Sequence, residues 1–80
     1  MKLPRSVNAA QIVTALRRIG YGVTRQTGSH IRLTLSEPPE HHVTVPNHDP
    51  IQAGTLSSII GDVAKRFNIT REEAVRRLFK

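Results

Sequence analysis

The sequence predicts an α+β fold: a three-stranded antiparallel sheet with two helices on one face, in the order α-β-β-β-α, and a short further helix at the C-terminal end. Three observations carry this reading. Apolar residues recur at a helical period on both sides of a middle stretch that alternates with period two. Turn-forming residues cut that middle stretch into pieces of strand length. Two of the three helical stretches open on a capping pair, Asn8 with Gln11 and Thr70 with Glu73.

The first helix follows Asn8. Ala9, Ile12, Val13, Leu16 and Ile19 form one apolar stripe, and Gly20 stands where a helix-ending glycine is wanted. Arg17 and Arg18 in the last turn complement the helix dipole. Tyr21 to Gln26 reads as a first strand, and a Thr27-Gly28-Ser29 turn leads into the second, His30 to Leu35. There Ile31, Leu33 and Leu35 point to one face, with His30, Arg32 and Thr34 opposite. The paired prolines of Ser36-Glu37-Pro38-Pro39-Glu40 make a loop, because they cannot join a central ladder. The third strand, His42 to Val45, turns Val43 and Val45 inward and ends at Pro46. An irregular stretch to Ala53 precedes a second helix from near Thr55, striped by Leu56, Ile59, Ile60, Val63, Ala64 and Phe67. Beyond it Thr70 caps a last helix with Ala74, Val75, Leu78 and Phe79 inward, and Ile69 is placed to staple onto Ala74. The alternation leaves His30, Arg32, Thr34, His42 and Thr44 on an uncovered sheet face. This α-β-β-β-α order is the topology of the double-stranded-RNA-binding domain.

Eighty residues make one domain, 1–80, with too little chain for two cores. There is no cysteine, so a disulfide-stapled scaffold and thiolate chemistry are both excluded. No apolar run approaches the roughly 20 residues of a membrane span. Met1-Lys2-Leu3-Pro4-Arg5 leads into no signal-peptide core, and the expectation is a soluble cytoplasmic protein without a membrane partner. The net charge of +6 has an address: residues 1–36 hold Lys2, Arg5, Arg17, Arg18, Arg25 and Arg32 and no acid, whereas residues 37–80 balance six cations with six acids. A local excess of arginine points to a polyanion or an acidic protein.

Four histidines, His30, His41, His42 and His48, are the candidates for proton transfer near neutral pH. A metal site is disfavoured: His41 and His42 diverge as neighbours, His42 and His48 with Asp49 lack a well-placed third ligand, and no cofactor motif is present. Ser29 beside His30 does not read as a nucleophile, since adjacent strand side chains diverge and no carboxylate is near. Glu37 and Glu40 share one flexible loop, which argues against paired-carboxylate chemistry. What remains is Gly28-Ser29-His30 at a strand head between Arg25 and Arg32. A glycine turn exposes N–H groups to a phosphate, two arginines hold it, and the histidine moves a proton.

Three motifs sharpen this. Arg25-Gln26-Thr27-Gly28-Ser29-His30, Val43-Thr44-Val45-Pro46-Asn47-His48 and Gly54-Thr55-Leu56-Ser57-Ser58-Ile59, in order over residues 8 to about 67, resemble the HicA family of toxins. The resemblance implies a messenger-RNA endoribonuclease with a double-stranded-RNA-binding-domain-like fold, paired with a HicB-like antitoxin. It implies His30 as the catalytic residue and Gly28 as the motif glycine, with Arg25, Ser29 and Arg32 expected at the RNA. The lack of a metal-ligand set in the sequence leads to the expectation of metal-independent cleavage. The alternatives are a non-catalytic RNA-binding module and a degenerate toxin that only binds its antitoxin. The start of the second helix carries no lysine cluster of the kind that double-stranded-RNA binders use. Residue types leave the second proton-transfer group open between His42, Ser29 and water. His48 reads both as part of a turn that aims the strand exit and as a residue at the substrate.

Overall fold

The computed structural model describes residues 6–79, running α1 (Ala9–Arg18), β1 (Gly22–Gln26), β2 (His30–Leu35), β3 (His41–Pro46), α2 (Ala53–Phe67) and α3 (Arg71–Phe79). Met1-Lys2-Leu3-Pro4-Arg5, with two of the six cations counted in the first half, lies outside the described residues, as does Lys80. The layout is the α+β one that the periodicity predicts.

Each end of α1 is closed as the residue types require. The Asn8 side chain accepts from Gln11 N–H at 2.9 Å, and Gln11 Oε1 accepts from Asn8 N–H at 2.8 Å. At the other end Gly20 takes φ +111°, Tyr21 N–H donates to Leu16 O at 3.1 Å, and Gly20 N–H donates to Arg17 O. That left-handed residue lets the last carbonyls find donors, and a Cβ at Gly20 would also press on Leu35 at 3.0 Å. Asn68, φ 55°, closes α2 in the same manner, with Ile69 N–H donating to Ala64 O. The capping pair at α3 is half-formed. Thr70 Oγ1 accepts from Glu73 N–H at 3.0 Å, but the Glu73 carboxylate turns outward to Arg76 and Arg77 instead of back to the cap.

The sheet order is β1-β2-β3, antiparallel throughout. Ile31, Leu33, Leu35, Val43 and Val45 are buried on one face, where they meet Ile12 and Leu16 of α1, Leu56, Ile59, Ile60 and Val63 of α2, and Ala74 and Leu78 of α3 in one apolar cluster. Burial of a side chain such as Leu33, fully enclosed, is worth about 1.5–3 kcal/mol. Three boundaries differ from the sequence reading. Tyr21 is buried ahead of β1, β3 runs from His41 through Pro46, and α2 begins at Ala53. Pro46 fits at the strand end because its partner there, His30, heads β2. The α2 shift arises because Gly54, a poor helix former, is nonetheless inside the first turn. The Pro38-Pro39 loop is tied down as well: Arg66 of α2 donates to the carbonyls of Pro39 and Glu37, each at 3.0 Å, while its guanidinium stacks over Phe67. Among the described residues no helix is long and apolar enough to cross a membrane.

Candidate active site

The turn between β1 and β2 is built by Thr27. Its N–H donates to His30 O at 2.9 Å, and its hydroxyl accepts from His30 N–H at 3.2 Å. The turn leaves Ser29 outside the strand ladder, so its side chain is free to fold toward its neighbour, and Ser29 Oγ lies 3.0 Å from His30 Nδ1. The expectation that these two side chains diverge therefore fails, because only His30 obeys strand geometry. The contact engages one ring nitrogen and leaves Nε2 of an exposed imidazole to the outside. Gly28 does not have a left-handed φ, and a Cβ there would meet nothing within 4 Å. The turn does not demand glycine; what glycine leaves is a bare backbone beside His30.

The arginines reach this face through an irregularity that alternation alone does not reveal. Val23 pairs with Leu33 and Arg25 with Arg32, so Thr24 is an extra residue, a bulge in β1. Its hydroxyl meets Thr34 Oγ1 at 2.8 Å. The bulge brings Arg25 directly opposite Arg32, and Arg32 is opposite Thr44 on β3. Two like charges thus share one cross-strand row, a costly arrangement unless an anion covers it. Among the described residues neither Arg25 nor Arg32 has an acidic partner.

The exit of β3 is fastened to the same turn. Asn47 N–H donates to Ser29 O at 2.9 Å, and Asn47 Nδ2 lies 3.4 Å from Gly28 O. His48 O accepts from Ala9 N–H at the head of α1, and Ile51 N–H donates to Val7 O at 2.7 Å. These bonds hold Pro46 to Ile51 against two elements at once. They frame a cleft of about 200 Å³ lined by His30, Pro46, His48, Ile51, Gln52 and Thr55. At its floor α2 begins without a side-chain cap on its N-terminus and without an acid in its first turn. Sequence reasoning missed Asn47, Gln52 and Thr55 as neighbours of the strand head. The Pro46-Asn47-His48 motif was the signal for the first of them.

The other two histidines go elsewhere. His42 Nδ1 lies 2.8 Å from Thr34 Oγ1 and Nε2 lies 3.0 Å from Glu40, which completes a polar string from Thr24 to Glu40 across the open face. Glu40, in the loop that composition reads as flexible, is thus held against His42. His41 turns the other way, as neighbouring strand residues must, and Tyr21 Oη lies 2.6 Å from its Nδ1. Burial holds the Tyr21 hydroxyl's pKa up at about 12, against a smaller lowering from Arg66. Burial also lowers the His41 pKa, opposed by Asp62. His42 and His48 do not come together as a ligand pair: His42 faces Thr34 while Pro46 faces His30, at opposite ends of β2. Among the described residues no three His, Asp or Glu side chains converge as metal ligands.

A family model described as HicA toxin of bacterial toxin-antitoxin matches residues 9–65. That span runs from the first residue of α1 into the last turn of α2 and holds His30, the arginine row and the cleft. Comparison with curated proteins and with solved structures gives no match.

Proposed function

The chain belongs to the HicA toxin family of bacterial toxin–antitoxin systems, and from that premise we propose that it is a metal-independent endoribonuclease that cleaves messenger RNA in the cytoplasm, with His30 as its proton-transfer residue. The observation that carries the reading is the setting of His30: an exposed imidazole at a strand head, tied at Nδ1 to Ser29 Oγ, beside a row of two arginines and a side-chain-free backbone at Gly28. With Nδ1–H donated to Ser29, Nε2 keeps its lone pair and acts as a base.

RNA supplies the rest of the chemistry. The 2′-OH gives its proton to the base, O2′ attacks the adjacent phosphorus, and the bond from phosphorus to O5′ breaks. The products are a 2′,3′-cyclic phosphate and a 5′-hydroxyl, with one proton taken up and one returned. Arg25 and Arg32 neutralise the non-bridging oxygens as charge builds on them. No metal-bound water is needed, because the nucleophile is internal to the substrate. Family membership brings an antitoxin partner. A HicB-like antitoxin whose carboxylates stand in for phosphates suits the same arginine row and inhibits by competition.

The test uses the purified chain on a messenger-RNA transcript and on DNA of the same sequence, with and without a chelator. The expected result is cleavage of RNA alone, unchanged by the chelator and abolished in His30→Ala, while the variant melts like the wild type because the ring is exposed. Cleavage by His30→Ala at the wild-type rate would refute the assignment. Loss of activity with chelator, restored by one metal, would refute the metal-independent mechanism.

A further inference from the structure

Cleavage by this route needs two proton transfers, and one imidazole with a bare Nε2 performs the first. His42 is unsuitable for the second. Both of its ring nitrogens are engaged, by Thr34 and by Glu40. Its strand partner Thr34 lies four residues from His30, about 13 Å along β2 at the usual rise, too far to share one phosphodiester. Ser29 is committed to the His30 ring.

His48 differs from both. The structural work of this residue is done by its backbone: its carbonyl accepts from Ala9 N–H at 3.2 Å, and its N–H turns back to Pro46 O at 2.9 Å. The turn is further held by Asn47, through its N–H to Ser29 O. Almost any residue type at position 48 makes those backbone bonds, so they do not explain an imidazole. The ring itself forms no hydrogen bond or ion pair with the described residues, is exposed, and lines the cleft that His30 lines. The cleft has room for a phosphodiester and part of its ribose, and its two titratable groups are these histidines.

We propose that His48 is the second proton-transfer group, the acid that protonates O5′ as it leaves, while His30 takes the proton from the 2′-OH. This rests on the ribonuclease reading above. The proton balance closes: one proton moves to His30 Nε2, one leaves the His48 ring, and solvent resets both.

The test is a change of leaving group. The wild-type chain is first used to map one scissile bond in a transcript. Two short RNAs spanning it are then made, one natural and one with sulfur in place of O5′ at that bond. A thiolate departs without protonation, so a missing acid no longer matters. On natural RNA, His48→Ala should be slowed about 10²–10⁴-fold, the usual worth of a positioned acid. On the sulfur substrate it should recover to within about tenfold of the wild type, whereas His30→Ala stays slow on both. The wild-type rate should fall at both ends of the pH range, and the variant should lose the alkaline fall. His48→Gln, which keeps a polar side chain on the pinned turn, should behave as the alanine variant does. Equal slowing of the two His48 variants on both substrates, or wild-type rates on natural RNA, would overturn the assignment and leave His30 in place. A wild-type chain inert toward every RNA would overturn the ribonuclease reading and this assignment with it.

Discussion

Reversing one charge in the arginine row should make the protein more stable and less active. Arg25 and Arg32 are direct cross-strand partners, so their side chains leave the sheet from Cβ atoms about 5 Å apart. Two unit charges held at about 6 Å in water repel by about 0.7 kcal/mol. A screening length of about 8 Å at physiological salt roughly halves this. Arg25→Glu replaces that repulsion by an attraction of similar size, a swing of about 0.6 kcal/mol. For a domain of this size that is a rise of about 3 °C in melting temperature, vanishing in 1 M salt. Cleavage should move the other way. A charge-assisted bond to phosphate is worth about 1.5–3 kcal/mol, so turnover of a messenger-RNA transcript falls at least about tenfold. The salt dependence of RNA binding loses about 0.7 in log–log slope, as one fewer phosphate is neutralised. Melting curves at low and high salt, set beside a gel cleavage assay and binding isotherms, measure all of this. A less stable Arg25→Glu refutes the bulged register; a more stable variant that cleaves at the wild-type rate refutes the arginine row as the RNA path.

Two further outcomes follow from single positions. Gly28→Ala should be slightly more stable, by about 0.4–1 kcal/mol, because no left-handed backbone or crowding opposes a Cβ there and the unfolded chain loses freedom; its cleavage rate should nonetheless drop, and an unchanged rate would mean that RNA never approaches that backbone. His41 should make stability pH-dependent: its pKa is lowered in the folded state, chiefly by burial, so below its unfolded value of 6.5 the unfolded chain binds a proton that the folded one resists. Urea midpoints should therefore fall as pH drops from 7.5 to 5, and the fall should shrink in His41→Gln.

The parts of the fold legible in the sequence are those fixed by local signals that no distant contact overrides. Asn8 with Gln11, Gly20, and the alternation of Ile31, Leu33 and Leu35 each specify their own stretch of backbone, and each is realised. The α2 start was misplaced because Gly54 breaks the local pattern, whereas the apolar anchors Ile51 and Leu56 draw the chain onto the core on either side of it. The Glu73 side chain left its capping role for a comparable reason: two arginines on its own helix compete for it. The loop through Pro38 and Pro39 was read as mobile from composition, and its restraint comes from Arg66, 27 residues from the carbonyl it holds. No local pattern encodes such a contact.

The candidate site shows the same division at closer range. Strand parity made His30 and Arg32 legible on one face, and Arg25 was legible only from its place in the motif. Whether Arg25 shares a face with Arg32 depends on the Thr24 bulge, and a single extra residue inverts that answer. His48 required a tertiary fact, namely that Asn47 fastens the end of β3 to the turn before β2. Its sequence spacing from His30 carries no such information. The fastening also has an energetic consequence. The histidines are positioned by bonds of their own backbone and of Asn47, and neither ring contributes to the apolar cluster. Loss of either imidazole therefore opens no cavity, and a fall in activity at His30 or His48 with an unchanged melting temperature reports chemistry and not misfolding. Ile51 is the opposite case. Its buried side chain anchors the cleft wall to the core, so Ile51→Ala should cost about 2–5 kcal/mol and lower activity only by loosening the wall that carries His48.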